Sequence, residues 1–254
     1  VLSGSADYTL ILWNVKTGEQ IHRFAGHTGS VNSIALSPDG IIAASGSSDG
    51  TILLWNIDTG KMIRRLNGEP GDVINSVAFN PKRQQIVSGS LDPQNDHKVC
   101  LWQIAQESAP KCFSWIEWTG WAIPLSVAYN PNGDTVVSGF RGWGLGLWNI
   151  DTDEKSWLPD HTGSSLSVAF SPDGRMAASG SNDNSIFLSD VAGKSLVQHL
   201  VGHSGDVNSI AFSPDGRMLL SGSSDHSLRL WDLASGAERR RFTGHENVEF
   251  DVIC

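Results

Sequence analysis

One phrase returns through this chain at steps of 41 to 47 residues. Its clearest form, SGSSDGTILLWNIDTG (Ser45 to Gly60), comes back as SGSADYTLILWNVKTG (Ser3 to Gly18) and as SGSSDHSLRLWDLASG (Ser221 to Gly236). Weaker copies place Trp102, Trp148 and Ser189 where the others have Trp13, Trp55 and Trp231, so that successive anchors lie 42, 47, 46, 41 and 42 residues apart. A period of this size specifies stacked supersecondary units, none of which can bury its apolar face alone. Each unit must therefore pack on its neighbours. Because the repeat runs from end to end, it predicts a single domain over residues 1–254.

The copy from Gly26 to Asn67 shows what one unit is. In SVNSIALSPDG, Val31, Ile34 and Leu36 are apolar, and Ser37-Pro38-Asp39-Gly40 has the residues of a turn. IIAASGS predicts a second strand, Ser48-Asp49-Gly50 a tight turn, and TILLWNI a third strand. After Asp58-Thr59-Gly60, the more polar KMIRRLN predicts a fourth strand on the outside. Short strands with turn residues at regular spacing indicate an all-β array.

The run GH…SPDG…SGSSDGTILLWNIDTG, with six anchors in phase, resembles the WD40 repeat, and the likeness covers essentially the whole chain. The phrases SPDGRMAASGS and SPDGRMLLSGS are similar to those of bacterial WD40 arrays. The resemblance implies an all-β fold, a β-propeller of four-stranded blades around a central channel, here with six blades. The first copy lacks its opening strand, and the last stops after it. The C-terminal strand, about Phe250 to Cys254, is therefore expected to pair with N-terminal strands and complete one blade. Such closure removes exposed sheet edges. A start at Val1 rather than Met, and a stop at Cys254, also fit a piece of a longer array.

The resemblance further implies a hydrogen-bonded structural tetrad in each well-kept blade. One is His27, Ser45, Asp49 and Trp55; a second is His203, Ser221, Asp225 and Trp231; a third joins His245 to Ser3, Asp7 and Trp13. His, Ser and Asp together are also the parts of a hydrolase. A catalytic set is needed once, however, whereas this one recurs around the array. No catalytic residue, cofactor or metal site is expected.

Positions that break the repeat are better places to look for function. Blade three has Glu69-Pro70 where Gly-His is expected and an insertion, LDPQN (Leu91 to Asn95), before Asp96. Blade four has Gly120 at the His position and Gly142 at the Asp position, and blade five replaces the anchor tryptophan by Ser189. The five tryptophans outside the anchor position, Trp115, Trp118, Trp121, Trp143 and Trp157, all fall in these blades. In WD40 proteins the loop before the first strand and the turn at the Asp position lie on the usual partner-binding face. Trp121, Arg141, Trp143 and Asn95 are accordingly the candidate partner-binding residues, since aromatics and Arg are frequent interface anchors. The competing reading is that bulky residues fill space left by missing His and Asp side chains. Under it, Trp118 or Ile116 takes the buried place of Phe24 and Phe242, and Trp157 covers an outer strand.

A net charge of −9 argues against nucleic acid as a partner. Arg239-Arg240-Arg241 reads as charge on an exposed edge strand. Cys100, Cys112 and Cys254 are odd in number and without CxxC spacing, so neither a disulfide framework nor a zinc site is implied, and Cys100 reads as a small core residue. No apolar run is long enough to cross a bilayer. The expectation is a monomeric, cytoplasmic, non-enzymatic scaffold that presents a propeller face to protein or peptide partners, with no membrane partner. The alternatives are a sensor or regulatory module of a larger bacterial signalling protein and, less favoured, a carbohydrate-binding propeller.

Overall fold

Gly- and Asp-rich turns cut the chain into apolar runs too short for helices, and these runs pair with their sequence neighbours. The structure, a computed structural model, describes residues 1–92, 98–106, 108–114, 122–159 and 161–244, with the backbone alone for Ser114 and Trp143. Leu2–Gly4 (β1), Thr9–Trp13 (β2) and Gln20–Ala25 (β3) form a three-stranded sheet. The next sheet is Val31–Leu36 (β4), Ile42–Ser47 (β5), Thr51–Asn56 (β6) and Met62–Asn67 (β7). The third is Val73–Phe79 (β8), Gln85–Leu91 (β9), Lys98–Gln103 (β10) and Lys111–Ser114 (β11). The fourth is Pro124–Tyr129 (β12), Thr135–Phe140 (β13), Trp143–Asn149 (β14) and Lys155–Leu158 (β15). Ser165–Phe170 (β16), Met176–Ser181 (β17), Ser185–Asp190 (β18) and Ser195–Val201 (β19) make the fifth. The sixth is Val207–Phe212 (β20), Met218–Ser223 (β21), Ser227–Asp232 (β22) and Ala237–Thr243 (β23).

The all-β fold of six blades is thus present, each sheet ordered as the chain runs. The first sheet lacks the opening strand, as its sequence predicts; its completion by residues 250–254 lies outside the described residues. The strands gather into two units, Val1–Pro124 and Leu125–Cys254. Among the described residues no helix is long and apolar enough to cross a membrane.

Burial follows position in the blade. The second and third strands of blade two, β5 and β6, are buried almost throughout, whereas the outer β7 is mostly exposed. Inner strands covered on both faces carry near-continuous apolar or small residues rather than alternation. The polar KMIRRLN is the outermost strand, as expected. So is β23, exposed along its whole length, where Arg239 pairs with Asp232 at 2.7 Å.

The SGS phrase is explained by packing between blades. A methyl group at Gly46 would stand 2.6 Å from Ile74 Cγ2 of the next blade, so only glycine fits. Serines stitch the first strands together: Val77 N–H donates to Ser33 Oγ at 3.1 Å, Val168 N–H to Ser126 Oγ at 3.1 Å, and Ile210 N–H to Ser167 Oγ at 3.2 Å.

One expectation fails here. Cys100 is not an unpaired core residue but is joined to Cys112 by a disulfide across β10 and β11, where the two are register partners. An odd count of cysteines hides such a pair, because register between strands, not spacing along the chain, brings the sulfurs together.

Candidate functional site

In blade two the turn after β5 carries Asp49, the loop before β4 carries His27, and β5 and β6 supply Ser45 and Trp55. His27 Nδ1 lies 3.0 Å from Asp49 Oδ2, its Nε2 lies 2.7 Å from Ser45 Oγ, and Trp55 Nε1 donates to Ser45 Oγ at 2.9 Å. Blade six repeats this with His203–Asp225 at 2.9 Å, His203–Ser221 at 2.7 Å and Trp231–Ser221 at 2.8 Å. An ionised carboxylate only accepts, so Nδ1 donates to it, and Nε2 is left to accept the serine hydroxyl.

Burial raises the Asp49 carboxyl. The Thr28 N–H, the Thr51 hydroxyl and His27 together outweigh it and hold the group at about 2. In Asp225 burial is likewise overcome, by Ser227, His203 and the Ser204 N–H, and the carboxyl sits well below its ordinary range. Burial pushes the imidazoles of His27 and His203 below their ordinary value against the pull of their aspartates. Each pair is therefore a neutral histidine held by an anionic aspartate. Ser45, Ser179 and Ser221 have no exposed surface, so no substrate reaches their hydroxyls. The geometry is that of a pin, in which every buried polar group finds a partner.

The third tetrad is met in part. Trp13 Nε1 donates to Ser3 Oγ at 2.8 Å. Asp7 is instead turned to Thr9 and to Arg23, at 3.3 Å, with about half of its side chain exposed. His245 lies outside the described residues.

The weaker blades depart in ways the sequence only partly shows. In blade five His161 keeps Asp183 at 2.9 Å and Ser179 at 2.9 Å. Burial again raises the Asp183 carboxyl, and Ser185 and His161 bring it down to about 2. Phe187 lies flat on His161, with ring centroids 4.0 Å apart, and the hydroxyl of fully buried Ser189 has no hydrogen-bond partner among the described residues. In blades two and six a Cβ at Gly26 or Gly202 would come within 3.1 Å of the anchor indole; position 160, the blade-five counterpart, is Asp. Loss of the ring relaxes the demand for glycine.

In blade four Trp148 is buried, but its N–H donates to Asp153 Oδ1 at 3.0 Å rather than to a serine on the second strand. Asp153 stands where the DTG turns have glycine, with φ 62°, and that substitution was the available signal. In blade three Leu66 pairs with Ile52 as Phe24 pairs with Leu10, so Gly68, and not Glu69, takes the place of Gly26. Glu69 thereby moves to the His position. Trp102 still donates to Ser88 at 2.8 Å. In place of a histidine, Lys98 lies 3.1 Å from Glu69 and 3.7 Å from buried Asp92. Burial raises the carboxyl of Asp72 beside them.

Of the candidate partner-binding residues, Asn95 and Trp121 lie outside the described residues. Arg141 is exposed in the turn between β13 and β14, and Trp143 begins β14 beside it. The same turn in other blades holds Tyr8, Gly50, Asn184 and His226, each with φ between 63° and 78°. This left-handed position is adopted without strain by glycine and is unusual for a tyrosine. Tyr8 and His226 nonetheless hold it, both exposed. The turn thus displays Tyr8 in blade one, Asn184 in blade five and His226 in blade six. Trp157 on β15 is 38% exposed and packs on Phe140.

The model of the family described as WD domain, G-beta repeat matches residues 18–56, 60–103, 153–190 and 194–232, more than half of the chain. The chain belongs to the WD40 family. Those four segments leave out residues 1–17, 104–152 and 233–254, apart from two gaps of three residues. This WD40 chain is 34% identical over 199 residues to WD repeat-containing protein SL1-17 of Schistosoma mansoni, covering 78% of the chain and 63% of that protein. It is also similar, at 49% over 39 residues, to guanine nucleotide-binding protein subunit beta-1 of Caenorhabditis briggsae. A guanine nucleotide-binding protein G(I)/G(S)/G(T) subunit beta-1 of Homarus americanus is 46% identical over 39 residues. These two matches take in 15% of the chain and 12% of each relative. The WD40 chain spans less than two thirds of the length of these relatives.

Proposed function

We propose that this WD40 protein is a non-enzymatic scaffold that presents the Asp-turn end of its blades to a protein or peptide partner. The residues proposed to contact it are Trp121, Arg141, Trp143 and Asn95. The observation that carries the reading is the contrast at one turn: a buried, fully used aspartate in blades two and six, and Gly142 flanked by exposed Arg141 in blade four. An exposed Arg on a turn between paired strands suits an interface anchor, and Trp is a residue type common at such anchors. Two of the relatives are, by name, subunits of guanine nucleotide-binding proteins, which supports a protein as the partner. The burial of each serine hydroxyl in blades two, five and six supports the non-enzymatic part.

A regulatory module within a longer protein is the same activity in another setting, and the 63% span of the Schistosoma relative favours keeping it in view. The Cys100–Cys112 disulfide leaves the cytoplasmic expectation without support from cysteine usage. The test replaces Trp121, Arg141 and Trp143 together by alanine and compares affinity-purified partners by mass spectrometry. A partner lost at an unchanged unfolding midpoint supports the assignment. Retention of every partner would sink it.

A further inference from the structure

In blades two and five the outer strand places one polar side chain beside the next blade, at the end opposite the Asp turns. In blade two this is Arg64, the register partner of Leu54; its Nη1 donates to Ile104 O at 2.6 Å and its Nη2 to Gln106 O at 2.8 Å, both in blade three. In blade five the equivalent is Gln198, the register partner of Leu188. The apolar clusters beneath the two correspond position by position: Ile42, Leu54, Phe79 and Ile104 in one, Met176, Leu188, Phe212 and Leu233 in the other.

Gln198 is too short to repeat what Arg64 does. Its Nε2 donates to Leu233 O at 2.9 Å, and its buried Oε1 has no hydrogen-bond partner among the described residues. A cavity of about 460 Å³ remains, floored by those apolar residues and lined by the exposed Asp173 and Asp215. The Ser171 and Ser213 hydroxyls hydrogen-bond these two carboxylates and hold both below the ordinary range. The backbone N–H groups of Arg175 and Arg217 also donate to them, each at 3.0 Å, while the Arg175 guanidinium stays 4.0 Å from Asp173 Oδ2.

We propose that the crevice between blades five and six binds an arginine side chain of a partner protein, with its stem on the apolar floor and its guanidinium at the carboxylates of Asp173 and Asp215, next to the Gln198 amide. A guanidinium carries five donors in a planar fork and accepts nothing, which fits a cavity lined by two exposed carboxylates and a glutamine amide over an apolar floor. Arg64 fills the matching crevice from within the chain, so the slot already has an arginine-shaped precedent. That the arginine comes from a protein rests on the scaffold reading; the chemistry of the slot does not.

The test titrates the whole chain with arginine amide and with uncharged citrulline amide, followed by nuclear magnetic resonance. Saturable millimolar binding of the first alone is expected. Asp215→Asn should weaken it about tenfold. Gln198→Arg should fill the crevice as Arg64 does, raise the unfolding midpoint and abolish binding. Failure of arginine amide to saturate, or full binding by the Gln198→Arg chain, overturns the slot. Acetylated peptides with a central arginine should bind more tightly than arginine amide. If none does, the protein source is overturned. The triple alanine variant that tests the scaffold reading should leave this binding unchanged, so the two ideas fail separately.

Discussion

Blades five and six lie next to one another in the second unit and share the same histidine, aspartate and serine, yet only blade six has the tryptophan. Ser221 serves both Trp231 and His203, whereas Ser179 serves His161 and lies under no indole. The His–Asp distance is 2.9 Å in both. The ion–imidazole pair therefore forms without the ring, and what the ring adds is a second bond to serine and packing against the neighbouring glycine. Blade five makes up the packing by stacking Phe187 on its histidine. Blade four lacks both the histidine and the aspartate, keeps the tryptophan, and re-anchors Trp148 on Asp153.

The largest test of this comparison removes the anion from each blade. Asp225→Ala should cost about 3 kcal/mol in urea unfolding, because it strands a buried histidine and a backbone N–H. Asp183→Ala should cost a similar amount. A much smaller loss at Asp183 would show that the two pairs are not equivalent.

A second test is sharper. Ser221→Ala should cost about 2 kcal/mol and Ser179→Ala about 1 kcal/mol, since the first leaves an indole N–H as well as a histidine unserved. Equal losses would mean that the tryptophan bond contributes nothing.

The smallest effect is on acid sensitivity. Burial depresses the folded pKa of His203, so the unfolded chain binds more protons as pH falls from about 7 to 5, and stability is lost through that window. The carboxylates of Asp49 and Asp183, held at about 2, add a further loss as pH falls from about 4 towards 2. His203→Gln should flatten the first limb of a midpoint-against-pH profile and leave the second.

Much of the fold was legible because its signals are local. Turn residues such as Ser37-Pro38-Asp39-Gly40 bound each strand, and the polar strand of KMIRRLN could only lie outside. The tetrads of blades two and six were legible because family resemblance fixed which residues meet. The disulfide was not, nor the place of Gly68, since both depend on strand register. The arginine-sized crevice was further out of reach, because Gln198 and Leu233 meet across 35 residues.

By itself, then, the sequence determined the period, the strands and the polar residues that pin the well-kept blades, because those are set by short-range turn chemistry and a repeated apolar pattern. Only the tertiary structure decided how the failing copies repair themselves: Phe187 over His161, Asp153 for Trp148, Lys98 among carboxylates, Cys100 bound to Cys112. Each repair depends on which side chain reaches a space left by another. Space between packed strands is a property of the assembled blades, not of any one stretch of chain.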